Sequence, residues 1–491
     1  MKFFSTRGGG YVESSAQAIV KGLADDGGLF VPETFPNLSG DIKNMLELDY
    51  AGITTRVIAS YLEEYDKEEL YSACKSAYSR FVDDNGATLV KLDENFYVLE
   101  LFHGPTLTFK DVALTIFPYL LRKGADITGV KEELLILVAT SGDTGKAVLE
   151  AFKDVKGIKA CVLYPTVGLS DIEKRQIVTQ DGQNVNVISI KGNFDDCQTA
   201  VKTVLSDNSV KKLLLDKGFV LSSANSTNFG RLVVQISYYF SAYCDLVNAG
   251  QIKLGDKVDF CVPTGNFGNI LAGYYAKQMG LPVGKLVCAS NENNVLTEFF
   301  ETGNYDANRE FFKTTSPSMD IIISSNLERL VFELSGRNAE LTKTRMQQLK
   351  KQGRYSLTKS EIDIMLEDFT AGYCDEQDCE ETILDVFDEY GYLADPHTSV
   401  ALNVAFGYGE ANNGFNRPMV VLSTSSPYKF PQSVYKAITG KKIGDPFISA
   451  YKLSELTAEE VPDQIHNLKE KQVRFSKVVE KKDILDSLKS F

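Results

Sequence analysis

The sequence predicts an α/β protein built on open, mostly parallel sheets with helices on both faces, preceded by a helical N-terminal region and interrupted by an inserted helical segment. Three observations carry this. From residue 134 onward, short apolar runs (134–139, 160–164, 185–190, 219–221, 258–262, 286–289 and 419–423) alternate with helical stretches. Continuous apolar strands spaced by helices belong to parallel sheets covered on both faces. Two of the runs lead directly into polar, glycine-rich turns that open helices, and in open α/β sheets such positions, beyond the carboxyl ends of strands, are where ligands bind. The length of 491 residues, at about 150 per domain, allows about three domains or lobes.

Residues 1–90 form the first of these, with helical spacing at 15–23 and 55–77 around the turn-rich stretch 25–32. Residues 91–440 make a core of two α/β lobes. Within it, 310–388 breaks the alternation with long polar helical patterning at 338–351 and 359–366, read as the insertion. Residues 441–491 are charged and helical, an accessory segment. With 43% hydrophobic and 24% charged residues the composition is that of an ordinary globular protein. Lys+Arg 52 against Asp+Glu 66 leaves a net charge of −14, a field that repels nucleic acid and anionic membranes, so anionic ligands must be held by local positive groups. The apolar runs fall far short of the about 18 residues a membrane span needs, and the polar N-terminus is unlike a secretory signal, so a cytoplasmic protein is expected. Eight cysteines are scattered. Cys161, Cys261 and Cys288 lie in apolar runs as reduced core thiols, and the spacing of Cys374 and Cys379, with the three histidines elsewhere, gives no metal site.

Three segments carry chemistry. After the 134–139 run, Thr140, Ser141, Gly142, Asp143, Thr144, Gly145 and Lys146 lead into a helix, offering amides and the positive end of a helix dipole to an anion. The stretch is not a nucleotide P-loop, because Thr140 and Ala147 stand where that motif requires a glycine and a magnesium-binding hydroxyl. After the 258–262 run come Pro263, Thr264, Gly265, Asn266, Phe267, Gly268 and Asn269, again opening a helix. Two such turns in one sheet suggest two anionic groups, such as a phosphate and a carboxylate. The third segment, 101–111, places Lys110 at a helix start directly behind Leu107 and Phe109. Desolvation and the helix dipole there both favour a free amine, the state a Schiff-base lysine needs.

The run His103-Gly-Pro-Thr-Leu-Thr-Phe-Lys-Asp111 resembles the pyridoxal-phosphate lysine motif of threonine synthases. Ser5-Thr-Arg-Gly8 with 22–32, the 141–145 turn, 192–198 and 265–269 match that family in order and approximate spacing, so the resemblance spans about residues 2–431. It implies the fold type II architecture of pyridoxal-phosphate enzymes, with Lys110 carrying the cofactor. Gly265, Asn266, Phe267, Gly268 and Asn269 would cradle its phosphate, Asp143 would lie near its ring hydroxyl, and Thr424 would meet its ring nitrogen. Ser141, Gly142, Asp143, Thr144 and Gly145 would receive the substrate carboxylate. Asn228 and Arg231, one helical turn apart, would hold the substrate phosphate. The implied reaction converts O-phospho-L-homoserine and water to L-threonine and phosphate, in a monomer or homodimer with a small molecule as its partner. Where the family commonly has Thr-Ala-His-Pro, this chain has Thr424-Ser-Ser-Pro427, so any part the histidine plays is either dispensable or taken by Ser426 or a water.

Other readings stand beside this one. A serine/threonine dehydratase or cysteine synthase would share the lysine and the phosphate loop without needing Arg231, and a non-catalytic relative could bind phosphorylated amino acids without using Lys110. His103 is as readily a hydrogen-bonded structural residue, the ring of Phe267 a core residue, and Lys146, Lys174 and Arg175 solvated charges.

Overall fold

A computed structural model describes the chain except Ser141, Val167, Gly168, Asn193 and residues 481–482, 485–486 and 488–491, together with the side chains of Phe194, Asp195, Lys202 and Ser206. Two sheets organise the core. The larger has six strands in the order Phe369–Tyr373, Val283–Ser290, Val258–Pro263, Met419–Ser423, Phe96–Glu100 and Thr88–Asp93. All neighbours are parallel except the last pair, a hairpin. The smaller is wholly parallel, in the order Val478–Val479, Val185–Ile190, Ile158–Pro165, Glu133–Ala139 and Phe219–Ser222. Each apolar run read from the sequence is a strand, because a strand buried on both faces has no polar side to alternate.

The long helix Phe229–Asn248 is buried at every position except Asp245, Val247 and Asn248, as a helix apolar all round must be. It packs against the helices Tyr50–Ala59 and Gly268–Gln278, and one continuous apolar core joins the N-terminal region to both sheets. The N-terminal region is less helical than its patterning suggests. Phe3–Ser5, Tyr11–Val12 and Phe30–Pro32 form a three-stranded antiparallel sheet, its strands too short to show a period. The hairpin strand Thr88–Asp93 crosses the expected boundary at residue 90.

The inserted segment is likewise not purely helical. Phe369–Tyr373 lies inside it and is the edge strand of the large sheet; Phe-Thr-Ala-Gly-Tyr is too short and too mixed to stand out as an apolar run. The charged tail returns as a strand, with Ser189 N donating to the Lys477 carbonyl at 2.9 Å and Lys191 N to that of Val479 at 3.0 Å. No helix among the described residues is long and apolar enough to cross a membrane.

Three parts of the chain that shape the ligand region meet on Arg329, which is fully buried. Its guanidinium donates to the Phe30 carbonyl at 3.0 Å, the Thr227 carbonyl at 2.7 Å and Asn326 Oδ1 at 2.5 Å. Asn326 in turn donates to the Asn266 carbonyl from its side chain at 3.0 Å and its backbone at 3.1 Å. Replacing Arg329 by Ala is expected to leave two buried acceptors and a half-buried one unsatisfied and to cost about 3 kcal/mol or more. Arg329→Lys should recover little of it, since an ammonium does not reproduce the planar fork. Denaturant unfolding of the two variants checks this, and a midpoint for Arg329→Ala within error of the parent would refute it.

Candidate active site

The carboxyl ends of the central strands open into one cavity of about 1890 Å³, lined by Ala139 and Thr140, by Pro263 to Asn269, and by Thr424. N-terminal residues, among them Arg7 and Asp26, complete one wall. Arg7 is fixed there by a two-pronged pairing with Glu328, at 2.8 and 2.6 Å.

Lys110 enters the cavity from the start of the helix Lys110–Leu114. The loop before it is clamped to the segment after the Met419–Ser423 strand: Phe109 N donates to the Thr424 carbonyl at 2.9 Å and Ser426 N to the Leu107 carbonyl at 3.1 Å. Leu107 sits at φ 61°, a left-handed conformation costly for a γ-branched residue and sustained by this clamp. Asp111 accepts from Thr106 N at 2.7 Å and Thr106 Oγ1 at 2.6 Å, tying off the turn; burial pushes its carboxyl up to about 6.

The Lys110 amine meets Ser318 Oγ at 3.1 Å and Asp143 Oδ2 at 3.3 Å. Burial lowers its pKa and the ammonium of Lys429 adds to the effect, against the pull of Asp143. Asp143, the first residue of the helix Asp143–Phe152, pairs through Oδ1 with Lys429 and receives the Thr108 hydroxyl at 3.3 Å and the Ser318 hydroxyl at 3.4 Å on Oδ2. Burial opposes its ionisation, but Lys110 and Lys429 together hold the carboxyl well below the usual range.

The 263–269 turn is built for close approach. A Cβ on Gly265 would stand 2.7 Å from the Ser318 carbonyl oxygen. Phe267 takes φ 64° and heads the helix Gly268–Gln278, while its ring packs near Phe300 and Phe369 in the core, so it can offer a ligand only its backbone. Asn269 accepts on Oδ1 from the Tyr238 and Tyr239 hydroxyls, and its Nδ2 is buried without a partner.

The expected substrate groups need correction in two places. In the 141–145 turn, Ser141 lies outside the described residues. The amides of Gly142 and Gly145 both donate to Thr140 Oγ1, at 3.0 and 2.8 Å; they hold the turn together and are not free for a carboxylate. Thr144 lines the cavity. Asn228 is the N-cap of the Phe229–Asn248 helix, accepting from Gly230 N at 2.9 Å and donating to the Ile19 and Ser223 carbonyls at 2.8 and 2.9 Å. Its amide is fully used and the residue is fully buried, so it supports the turn before Arg231 instead of reaching a ligand.

Arg231 does line the cavity. It is 2% exposed, its Nη1 donates to the Ala224 carbonyl at 3.1 Å, and its Nε is unpartnered. No carboxylate pairs with it among the described residues, and burial brings its pKa down to about 10.

Ser426 is spent on a cap, its hydroxyl accepting from Tyr428 N at 3.3 Å in the short turn that carries Lys429. The imidazole in the cavity comes from elsewhere. His397 Nδ1 bonds Asp395 Oδ1 at 2.8 Å and its Nε2 accepts from Ser318 N at 3.2 Å. His103 bonds Glu100 at 2.7 Å and does not line the cavity. Lys146 pairs with Glu150 at 3.2 Å, Arg175 binds carbonyls of the tail, and Lys174 is exposed.

Three residues of this site escaped the sequence reading. Lys429 had a signal, a lone lysine in the apolar, proline-bounded run 427–431. His397 follows an Asp-Pro helix start, and is one of only three histidines. Ser318 had none.

Comparison with known proteins gives the family. Profiles described as threonine synthase N terminus, pyridoxal-phosphate dependent enzyme, and threonine synthase, C-terminal match residues 2–78, 85–424 and 398–490. Threonine synthase of Saccharomyces cerevisiae is 36% identical over 87% of this chain and 87% of its own length. The chain belongs to the threonine synthase family of pyridoxal-phosphate-dependent enzymes. The family's Pseudomonas aeruginosa member is 38% identical over 90% of this chain and 91% of its own. Human threonine synthase-like 1 is 38% identical over 88% of this chain, which spans only 58% of that relative's length. Among solved structures, PLP-bound threonine synthase from Brucella melitensis superposes with a TM-score of 0.87 at 36% identity, covering 100% of this chain and 99% of that one. The yeast enzyme gives 0.88 at 32%, covering 100% and 97%. The fold is thus the α/β fold of these pyridoxal-phosphate enzymes.

Gly265→Ala is expected to push the 317–319 turn away and carry the Ser318 hydroxyl off Lys110, at a cost of about 1–3 kcal/mol. A structure of the variant with that hydroxyl still about 3.1 Å from the amine would contradict the close approach described here.

Proposed function

We propose that this protein catalyses the threonine synthase reaction, O-phospho-L-homoserine plus water giving L-threonine plus inorganic phosphate, acting on a small molecule in the cytoplasm as a monomer or homodimer. The observation that carries the reading is one cavity holding a desolvated lysine amine and two separate unfilled donor sets for anions, the 265–269 turn and Arg231.

The residues fit pyridoxal phosphate. The orphaned Asn269 Nδ2 and the amides heading the Gly268–Gln278 helix suit a phosphate. Lys110 would bond the aldehyde, Asp143 and Thr108 would stand at the ring's polar edge, and Thr424 would meet the ring nitrogen with a neutral hydroxyl. When bound, the cofactor withdraws electrons from the substrate carbons and so makes their protons removable. Lys110, once released, is the amine within reach to take the proton from Cα and then from Cβ, and to return protons later. The helix amides at Asp143 and Thr144 and the Thr144 hydroxyl receive the substrate carboxylate.

Arg231 holds the phosphate that leaves from Cγ, where a C–O bond breaks; water supplies the new C–O bond at Cβ. A buried guanidinium lacking an acid partner is suited to a doubly charged group, because the phosphate meets a charge not already neutralised.

Borohydride reduction followed by peptide mapping should leave the cofactor on Lys110, and the purified protein should release phosphate from O-phosphohomoserine. A label on another lysine, or no phosphate released by cofactor-loaded protein, rejects the assignment. Arg231→Ala should lower kcat/KM for O-phosphohomoserine roughly ten- to a hundredfold and leave turnover of unphosphorylated serine or threonine little changed. Equal losses on both would make Arg231 structural and favour a dehydratase.

A further inference from the structure

Lys429 is a buried charge at the site, with its side chain fully enclosed. It follows the strand that supplies Thr424, on a turn set by the Ser426 cap and Pro427. Among the described residues its ammonium has one side-chain partner, Asp143 Oδ1, and it does not line the cavity. The two oxygens of Asp143 are therefore divided: Oδ1 is committed to Lys429, while Oδ2 faces Lys110, Thr108 and Ser318.

The division matters because the reading above has Lys110 change charge repeatedly. With Lys110 as its only cation, Asp143 would become an isolated buried anion each time that lysine lost its proton, so the proton would be drawn back and the amine held charged. Glu173, buried on the helix Asp171–Val178, makes that worse: burial and the neighbouring Asp143 both push its carboxyl up. His397, on a further helix, acts on Asp143 in the same direction as the two lysines.

We propose that Lys429 is a positioning residue: its ammonium keeps Asp143 a carboxylate in every state of Lys110, so that protons entering or leaving the site are carried by Lys110. Two effects follow from the same contact. Asp143 remains a fixed acceptor for the hydroxyls around it. Lys429 and protonated Lys110 repel one another across the shared carboxylate, so the free amine is favoured.

The proposal rests on Lys110 being the reactive amine, and its test is separable from that reading. In full-length protein freed of cofactor and checked for folding by circular dichroism, competitive acetylation across a pH series measures the unprotonated fraction of Lys110, read by mass spectrometry of its peptide. In Lys429→Met the titration midpoint of Lys110 is expected to rise, so that its free amine at neutral pH falls roughly tenfold or more. Lys429→Arg keeps the cation and should stay near the parent. An unmoved midpoint in folded Lys429→Met, or an equal rise in Lys429→Arg, overturns the proposal. Asp143→Asn supplies an independent arm should Lys429→Met not fold. There the amine loses its carboxylate but keeps the opposing ammonium, so the midpoint must fall; a midpoint that is unchanged or higher also overturns it. None of these readouts involves the cofactor. A borohydride label on a different lysine would instead reject the functional reading without altering the measured titration.

Discussion

A single carboxylate buried between two lysines is the constraint on which the rest of the site depends. Asp143 can stay ionised in the interior only if its charge is matched, and the match comes from three distant stretches of chain: the turn after the Glu133–Ala139 strand, the loop before Lys110 and the turn after the Met419–Ser423 strand. Those stretches come from both sheets, so the cluster fixes the two lobes in register at their shared mouth. The backbone clamp from Phe109 to Thr424 and from Ser426 to Leu107 supplies the geometry that lets the charges meet.

The same logic explains how a protein of net charge −14 presents the anion sites proposed above. The chain buries guanidinium and ammonium groups where solvent cannot screen them, and leaves one of them, Arg231, without an acid. Arg329 is the contrasting case: equally buried and, among the described residues, equally without a bonded carboxylate, it has every nitrogen bonded, to two carbonyls and an amide oxygen, and so acts as a structural strut. What separates the two guanidiniums is the number of donors left over, not charge or burial.

Much of this was legible in the sequence, and the limits have physical causes. The parallel strands were visible because burial on both faces removes polar residues from them. The turns at 141–145 and 265–269 and the helix start at Lys110 could be found because glycine and small polar residues mark places where backbone meets ligand. Strands such as 96–100 and 369–373 were missed because a short run with polar neighbours carries no period. Asn228 and Gly142 were misread for a different reason. Sequence spacing tells which residues stand near one another, but not whether their hydrogen-bonding capacity is already consumed, as the Asn228 amide is by a helix cap and the Gly142 amide by Thr140. Lys429, Ser318 and His397 converge on one point from separate elements, and such convergence exists only in three dimensions.

The returning tail has a consequence of a different kind. The Val185–Ile190 strand would otherwise end the small sheet with a row of unpaired amides and carbonyls flanked by Val187, Ile188 and Ile190, an open template for another chain to extend. By laying Val478–Val479 along Ser189 and Ile190, and setting Lys191 against Glu480 at 2.6 Å beside the join, the chain occupies the carboxyl end of that edge with its own backbone and flanks it with charge. Residues remote from the chemistry thereby guard the molecule against strand-to-strand aggregation, which makes the far end of the sequence a determinant of how concentrated the protein can be while remaining itself.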